Sequence, residues 1–94
     1  NESNEQVSGF ELMQNYPNPF NQTTNIQFEL MQASQVELSI FNIQGQKVTE
    51  LVNSRLSAGQ HRFTFDASQL SSGVYLYRLK TGNEMITKKM ILAK

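Results

Sequence analysis

Residues 25–40, NIQFELMQASQVELSI, contain two runs in which every second side chain is apolar. The first run carries Ile26, Phe28 and Leu30, and residues 36–40 repeat the spacing with Val, Leu and Ile. Successive side chains of a β-strand point to opposite faces, so a two-residue apolar period places one face against a core. Residues 32–34 interrupt the pattern. The stretch therefore predicts two strands separated by a turn.

The same pattern continues on both sides of this stretch. Residues 63–65 and 75–79 alternate clearly, whereas residues 10–13, 48–52 and 85–93 form weaker apolar runs. No segment has the period of a long amphipathic helix. Seven short antiparallel strands must bury their apolar faces against each other, so we predict an all-β, seven-stranded antiparallel β-sandwich. The turns between the strands are expected at residues 17–19, 32–34, 44–45, 58–59, 71–73 and 82–83, the last as a two-residue hairpin loop.

The length of 94 residues limits the chain to one core and excludes two domains. Residues 1–8 are polar and unpatterned, so we expect a flexible linker at 1–8 and one domain at 9–94. The start has neither a methionine nor an apolar signal core, which indicates an excised part of a longer protein. The chain has no cysteine, and this leaves its compartment open.

Charge is balanced overall but unevenly distributed. The formal net charge is zero, and the longest basic run is Lys88-Lys89, so we expect no nucleic-acid partner. Residues 1–46 carry a net charge of −5, and residues 47–94 carry +5. Two explanations remain open: complementary surfaces within one compact fold, or a basic edge that binds a partner.

Sites for catalysis or metal binding are not evident. His61 is the only histidine, and its strand parity with Phe63 and Phe65 favours a half-buried structural role over acid–base catalysis. The sequence has no nucleophile elbow, no recognisable carboxylate pair, no usual zinc ligand set, no Asp-rich calcium loop and no Gly-rich phosphate loop. We therefore expect no enzyme, no metal and no cofactor.

The segment from Asp66 to Gly73 is long for a hairpin, which favours a crossover between the two sheets containing one helical turn. The Asp66 side chain is expected to accept hydrogen bonds from the amides that follow it. Tyr75 comes just after this corner, where a tyrosine hydroxyl in sandwich folds bonds back to the corner backbone. We therefore predict a tyrosine corner at Tyr75.

Several local motifs together resemble one known family. They are YPNPFN at 16–21, FNIQGQKV at 41–48, LSAGQH at 56–61, SGVYLYRL at 72–79 and KKMIL at 88–92. In this order and spacing they resemble a type A C-terminal sorting domain of the type IX (Por) secretion system, over about residues 10–94. One departure is Gln22, where the family often has a second proline. The residues expected to shape the fold are Pro17, Asn18, Pro19, Phe20, Gly45, Gly59, Asp66, Gly73, Tyr75 and Tyr77.

The resemblance implies an immunoglobulin-like sandwich and a non-catalytic secretion signal. In such a protein the domain follows a covalently fused N-terminal passenger and addresses it to an outer-membrane translocon. A surface sortase-like peptidase then commonly cuts upstream of the domain, here in or before residues 1–8, and some passengers are joined to lipopolysaccharide. The implied location is the cell surface or the medium, reached through the periplasm.

The family's signal is concentrated in its last strand, which corresponds here to Lys88, Lys89, Met90, Ile91, Leu92, Ala93 and Lys94. A final edge strand presents unpaired backbone groups, and its lysines supply donors for an acidic groove. The alternative is that Met90 and Leu92 are core residues while the lysines protect an edge from aggregation. An unpaired last strand also allows an edge-strand homodimer. The stop two residues after Leu92 agrees with a sorting signal.

A second function class remains open beside secretion, because fold alone does not decide function. A structural or adhesive cell-surface sandwich would have the same architecture. Tyr16, Phe20 and Phe41 are the aromatic residues that would form its carbohydrate platform, and the competing interpretation is that they close the core at strand ends.

Overall fold

The computed structural model describes residues 9–82 and 84–94, and these form seven strands in two antiparallel sheets. The all-β prediction is confirmed. The predicted linker at 1–8 lies outside the described residues, as does Asn83 of the predicted hairpin turn. The strands are β1 (Phe10–Leu12), β2 (Thr23–Leu30), β3 (Ser34–Asn42), β4 (Lys47–Leu56), β5 (Gly59–Asp66), β6 (Gly73–Thr81) and β7 (Glu84–Leu92).

The strand order is β1-β2-β5 in the smaller sheet and β4-β3-β6-β7 in the larger sheet. This is an immunoglobulin-like sandwich, as predicted. In the constant immunoglobulin arrangement the fourth strand belongs to the sheet of the first, second and fifth. Here β4 pairs with β3 instead, so the larger sheet has four strands and ends at β4 on one side and β7 on the other. In the part of the chain that the structure describes, no helix is long and apolar enough to cross a membrane.

The core lies between the sheets and is built from the alternating residues. Ile26, Phe28 and Leu30 of β2 point inward beside Phe63 and Phe65 of the neighbouring β5. The rings of Phe28 and Phe63 stack with centroids 5.9 Å apart. The side chains buried in this core are Phe10, Leu12, Phe20, Ile26, Phe28, Leu30, Val36, Leu38, Ile40, Phe65, Ala67, Tyr75, Tyr77, Leu79, Met90 and Leu92.

Strand β4 extends beyond the apolar run at 48–52 that predicted it. Residues 53–55, just before its final residue Leu56, are polar and exposed, yet they continue the backbone ladder with β3. The ladder contains register shifts at Leu38/Ser39 and Ile40/Phe41. These bulges interrupt the two-residue period only at residues 47–52. Residues 53–55 pair regularly with β3 and were missed because they are polar and carry no apolar signal.

The crossover from β5 to β6 joins the two sheets, as predicted. It contains one hydrogen-bonded turn, from Leu70 N to Ala67 O, and no helix. The Asp66 carboxylate accepts a hydrogen bond from Ser68 N at 2.9 Å. The Tyr75 hydroxyl donates to Ser71 O at 2.8 Å, so the predicted tyrosine corner is present.

Candidate functional site

Strand β7 contains most of the predicted recognition segment and forms an edge of the larger sheet. Its two faces differ sharply. Met90 and Leu92 are buried in the core, with exposed fractions of 0% and 1%, whereas Lys89 and Ile91 point outward and are exposed. The interpretation of Met90 and Leu92 as core residues is therefore confirmed. The outward side chains of the strand are the ones available to contact a partner.

The three lysines have different surroundings. Lys88 has the core-facing parity of Met90 and is half-buried, so it does not share a surface with Lys89. Lys94 is exposed but bound to the crossover: its Nζ donates to Ser68 O at 2.8 Å, and its backbone N donates to Ser72 Oγ at 3.1 Å. Lys89 alone of the three presents its ammonium group on the outer face of β7.

The outer edge of β7 is covered by residues 14–20, which we call the proline bend. The Phe20 N–H donates to Ile91 O at 2.9 Å, and the Ala93 N–H donates to Phe20 O at 2.8 Å. A parallel bridge joins Phe20 to Leu92. The bend thus takes the place of a neighbouring strand beside the C-terminal end of β7.

Two side chains of the proline bend extend this cover. The Asn18 side-chain oxygen accepts a hydrogen bond from Ile91 N at 2.9 Å, and Gln14 Nε2 donates to Lys89 O at 2.8 Å. Alternate residues of a strand direct their backbone groups to the same side, so these contacts occupy the outward side from Lys89 to Ala93. The expectation of an unpaired edge over residues 88–94 is therefore wrong for most of that segment. Backbone groups of Phe20 and side chains of Gln14 and Asn18 satisfy the β7 backbone that the sequence left open.

The proline bend is held in place by buried polar groups. Asn15 is only 2% exposed, and its Nδ2 donates to Thr24 Oγ1 at 3.0 Å and to Pro17 O at 3.2 Å. Thr24 Oγ1 donates to the same Pro17 carbonyl at 2.8 Å. Buried polar groups of this kind fix one conformation because each would lose free energy without its partner. Pro17, Asn18 and Pro19 are themselves exposed at the tip of the bend.

Tyr77 of β6 connects the start of the proline bend to the core. Its hydroxyl donates to Met13 O at 2.8 Å and accepts from Asn15 N at 2.8 Å. Desolvation by burial raises the pKa of Tyr77 to about 12, although the Asn15 amide acts in the opposite direction. The hydroxyl is therefore protonated at neutral pH and available to donate. The sequence identified Tyr77 as an inward strand residue but not as this link, because its partners lie more than sixty positions away.

Phe20 completes the attachment of the bend. It is 2% exposed, and its ring meets the ring of Phe65 edge-on with centroids 6.3 Å apart. For Phe20 the interpretation as a residue that closes the core is confirmed. Asn15 was not identified from the sequence, where an isolated asparagine beside prolines is indistinguishable from any turn residue.

All four predicted turn glycines, Gly45, Gly59, Gly73 and Gly82, have backbone angles that favour glycine. Gly45 has a φ of 88° in the turn between β3 and β4, and Gly59 has a φ of 119° where β5 begins. A side chain at either position would be strained. The Asn42 side-chain oxygen supports the first turn by accepting from Gln44 N and Gln46 N. Gly73 starts β6 at the end of the crossover.

Asp66 and Lys94 lie at the same end of the sandwich. Hydrogen bonds from the Ser68 backbone and side chain lower the pKa of Asp66, burial acts against them, and the charge of Lys94 lowers it further. Together with the Lys94–Ser68 bond, this network joins the crossover to the residues that follow β7. The polar groups of Asp66, Ser68 and Lys94 thus have a structural role in this network.

The remaining sequence candidates are dispersed. His61 is half-buried on β5, its Nε2 lies 2.8 Å from Ser57 O, and its ring packs near Phe28. Tyr16 is 78% exposed, Phe20 is in the core and Phe41 lies on the outer face of the larger sheet, so the three form no common carbohydrate platform. Among residues 9–82 and 84–94, no three His, Cys, Asp or Glu side chains are grouped as metal ligands.

Comparison with known proteins supports the family suggested by the motifs. The model of the family described as "Secretion system C-terminal sorting domain" matches residues 14–93, from the proline bend to the end of β7. No curated protein matches the sequence. The match covers well over half of the chain and includes every strand except β1. The chain therefore belongs to the family of C-terminal sorting domains of the type IX secretion system, whose members direct export to the cell surface or the medium.

Proposed function

We propose that this domain is a non-catalytic C-terminal secretion signal that directs a fused passenger through the outer-membrane translocon of the type IX system. The observation that carries the proposal is the family match over residues 14–93, which includes the whole of β7. The arrangement of β7 agrees with this role, because one face of the strand belongs to the core and the other presents side chains to a partner. We place the recognition site on that outward face.

Recognition in this proposal depends mainly on side chains and not on strand addition. Backbone pairing at residues 89–93 would first require displacement of Phe20 and Asn18 from Ile91. Lys89 and Ile91 need no rearrangement, since both are already exposed on the strand. A translocon groove that contacts an ammonium group and an apolar side chain at adjacent outward positions fits this surface.

Processing follows from the same proposal. The passenger is joined to the N-terminal side of the domain, and a surface sortase-like peptidase cuts in or before residues 1–8. We further propose that the released passenger is anchored to the surface or set free. No group of residues in the sandwich is needed for the cut, because the chemistry is supplied by the peptidase.

An edge-strand homodimer would have limited room on β7. Within the described part of the chain, no backbone hydrogen bond occupies the outward groups of Met85 and Thr87, whereas those near Ile91 are occupied. Two unoccupied positions give a shorter ladder than the nine-residue strand suggests. We therefore propose that dimerisation through β7 requires release of the proline bend, and that the folded monomer is the form that is recognised.

The proposal is tested by export of a reporter. A fluorescent protein with a signal peptide is fused before residues 1–94 and produced in a host with the type IX machinery and in a host without it. We expect reporter outside the cell only with the complete domain and the intact machinery. Equal export from both hosts would overturn the sorting role.

A truncation alone does not separate recognition from folding. A chain that ends at Thr87 loses Met90 and Leu92, which are core residues. A second variant therefore replaces Lys89 with Glu and leaves the core intact. We expect the Lys89→Glu domain to fold and to be exported less than the unchanged domain, while the truncated form is not exported. Full export of a folded Lys89→Glu variant would show that recognition lies elsewhere than at Lys89.

A further inference from the structure

The outer faces of the two sheets differ in composition. In the larger sheet, Phe41, Val74, Leu76 and Ile91 point away from the core, and Val74 and Ile91 remain 36% and 38% exposed. The smaller sheet has no apolar side chain among its outward strand positions. Those positions are Glu11, Thr23, Asn25, Gln27, Glu29, Gln60, Arg62, Thr64 and Asp66.

The apolar side chains of the larger sheet are neighbours. Phe41 pairs with Leu76, and Val74 pairs with Ile91 on the adjacent strand. Directly paired residues project to the same face with their Cβ atoms about 5 Å apart, so the four form one continuous surface across β3, β6 and β7. An apolar group on one outer face, with none on the other, is typical of an interaction surface.

Two cations border this surface. The Arg78 guanidinium lies over the Phe41 ring, with Cζ 4.4 Å from the ring centroid. Lys89 is directly opposite Leu76 on β7. In the described residues, the salt bridge found is Lys47–Glu50, so neither Arg78 nor Lys89 is neutralised there by a carboxylate. We call the set of Phe41, Val74, Leu76, Arg78, Lys89 and Ile91 the outer patch.

The other charged residues on the outer face of the larger sheet are also mostly basic. Outward positions of the larger sheet carry five basic residues and two acidic ones, and one of these acids, Glu50, is paired with Lys47. On the outer face of the smaller sheet the acidic residues outnumber the basic ones: the acids are Glu11, Glu29 and Asp66, and the base is Arg62. The sequence asymmetry between the two halves of the chain thus becomes an asymmetry between the two faces of the sandwich.

We propose that the outer patch binds an acidic polypeptide segment that carries apolar side chains between its carboxylates. Carboxylates of the partner contact Arg78 and Lys89, and its apolar side chains cover Leu76, Val74 and Ile91. The patch is wider than β7, since β3 and β6 contribute most of its residues. This inference rests on the proposed function only because Lys89 and Ile91 belong both to the proposed recognition face of β7 and to the outer patch. It adds the chemistry of the partner.

The charge of the face argues for this occupant over a second copy. Two copies joined face to face would place Arg78 and Lys89 of one chain near the same residues of the other, and such like-charge contacts are unfavourable. An anionic lipid surface fits less well, because the apolar residues lie on a flat strand surface and are only partly exposed. Insertion into a bilayer requires apolar side chains that project beyond the charged ones.

The test is a titration of the isotope-labelled domain, residues 1–94, followed by amide NMR. The probe is a blocked peptide of repeated Glu-Glu-Val-Val, about ten residues long, which in extended form presents both carboxylates and apolar side chains on each of its faces. The matched probe has lysine in place of glutamate. Two variants accompany the wild type: Arg78→Glu with Lys89→Glu on the outer patch, and Arg62→Glu on the opposite sheet. Vesicles of phosphatidylglycerol form the third arm.

We expect the acidic peptide to shift amides of β3, β6 and β7 and to bind about tenfold more weakly to the double variant. Arg62→Glu should leave its affinity within about twofold. The lysine peptide should not bind. Shifts on the smaller sheet, equal binding of both peptides, or binding to vesicles but not to the acidic peptide would each overturn the proposal. These results do not depend on export, so loss of peptide binding with normal sorting, or the reverse, identifies which proposal has failed.

Discussion

Replacing Tyr77 with Phe tests the link between the proline bend and the core. The substitution keeps the ring and removes the hydroxyl that joins Met13 O and Asn15 N. Tyr77 is fully buried, so solvent does not replace these bonds at the ring. The expected effect is therefore a loss of free energy of unfolding without a change in fold.

The size of the effect follows from the number of groups left without a partner. A net hydrogen bond contributes about 0.5–1.5 kcal/mol, and a buried group left unsatisfied costs about 1–3 kcal/mol. Two backbone groups lose a partner, and removal of a desolvated hydroxyl offsets part of the loss, so we expect a destabilisation of about 2–4 kcal/mol. Tyr75→Phe is the matched control: it removes one part-buried bond, to Ser71 O, and should cost about 1 kcal/mol.

The assay is urea unfolding of wild type, Tyr77→Phe and Tyr75→Phe, with the midpoint compared at constant slope. Amide exchange of Ile91 and Ala93 is measured beside it, because both amides are bonded to the proline bend. Tyr77→Phe should accelerate exchange at these two amides more than Tyr75→Phe does. If Tyr77→Phe is no more destabilising than Tyr75→Phe, the hydroxyl is not what holds the bend.

Three further predictions use the same set of contacts. The pKa of Tyr77 is 10.0 in the unfolded chain and about 12 in the fold. Its contribution to stability is therefore complete below pH 10 and is lost as the pH rises toward 12. The urea midpoint should fall more steeply over this interval in wild type than in Tyr77→Phe. Asn18→Ala should speed amide exchange at Ile91 and leave Ala93 protected, since Ala93 bonds to Phe20 O; equal acceleration at both amides would contradict this assignment. Phe20→Ala should cost about 3–5 kcal/mol and Phe20→Leu about half of that or less, because leucine refills most of the volume. Calorimetry measures both, and similar losses would contradict this expectation and show that the core requires the ring itself and its edge-on contact with Phe65.

The strands could be predicted because their information is local. Ile26, Phe28 and Leu30 show the two-residue period within one segment, and the tyrosine corner follows from the position of Tyr75 after a crossover. Bulges in β4 shift the side on which residues such as Leu51 lie, and the polar residues 53–55 give no apolar signal for the rest of the strand. Local periodicity thus determines the elements and only partly their lengths.

The edge of β7 could not be predicted, because it depends on contacts between distant segments. Nothing in the sequence near Ile91 indicates that Asn18 and Phe20 cover its backbone, and nothing near Asn15 indicates that Tyr77 holds it. Parity did place Met90 and Leu92 in the core. The same parity assigns Lys88 to the core-facing side, so Lys88 and Lys89 lie on different faces of the strand.

The central claim is that the translocon recognises the outward face of β7 during export. It is tested most directly by comparing secretion of the reporter fused to two folded double variants. One carries Lys89→Glu with Ile91→Ser on β7, and the other carries Arg62→Glu with Thr64→Ser on the opposite sheet. Circular dichroism and the urea midpoint first establish that both are folded. We expect the β7 variant to stay in the periplasm and the variant of the opposite sheet to be secreted like wild type. Equal secretion of the two variants would contradict recognition of the β7 face.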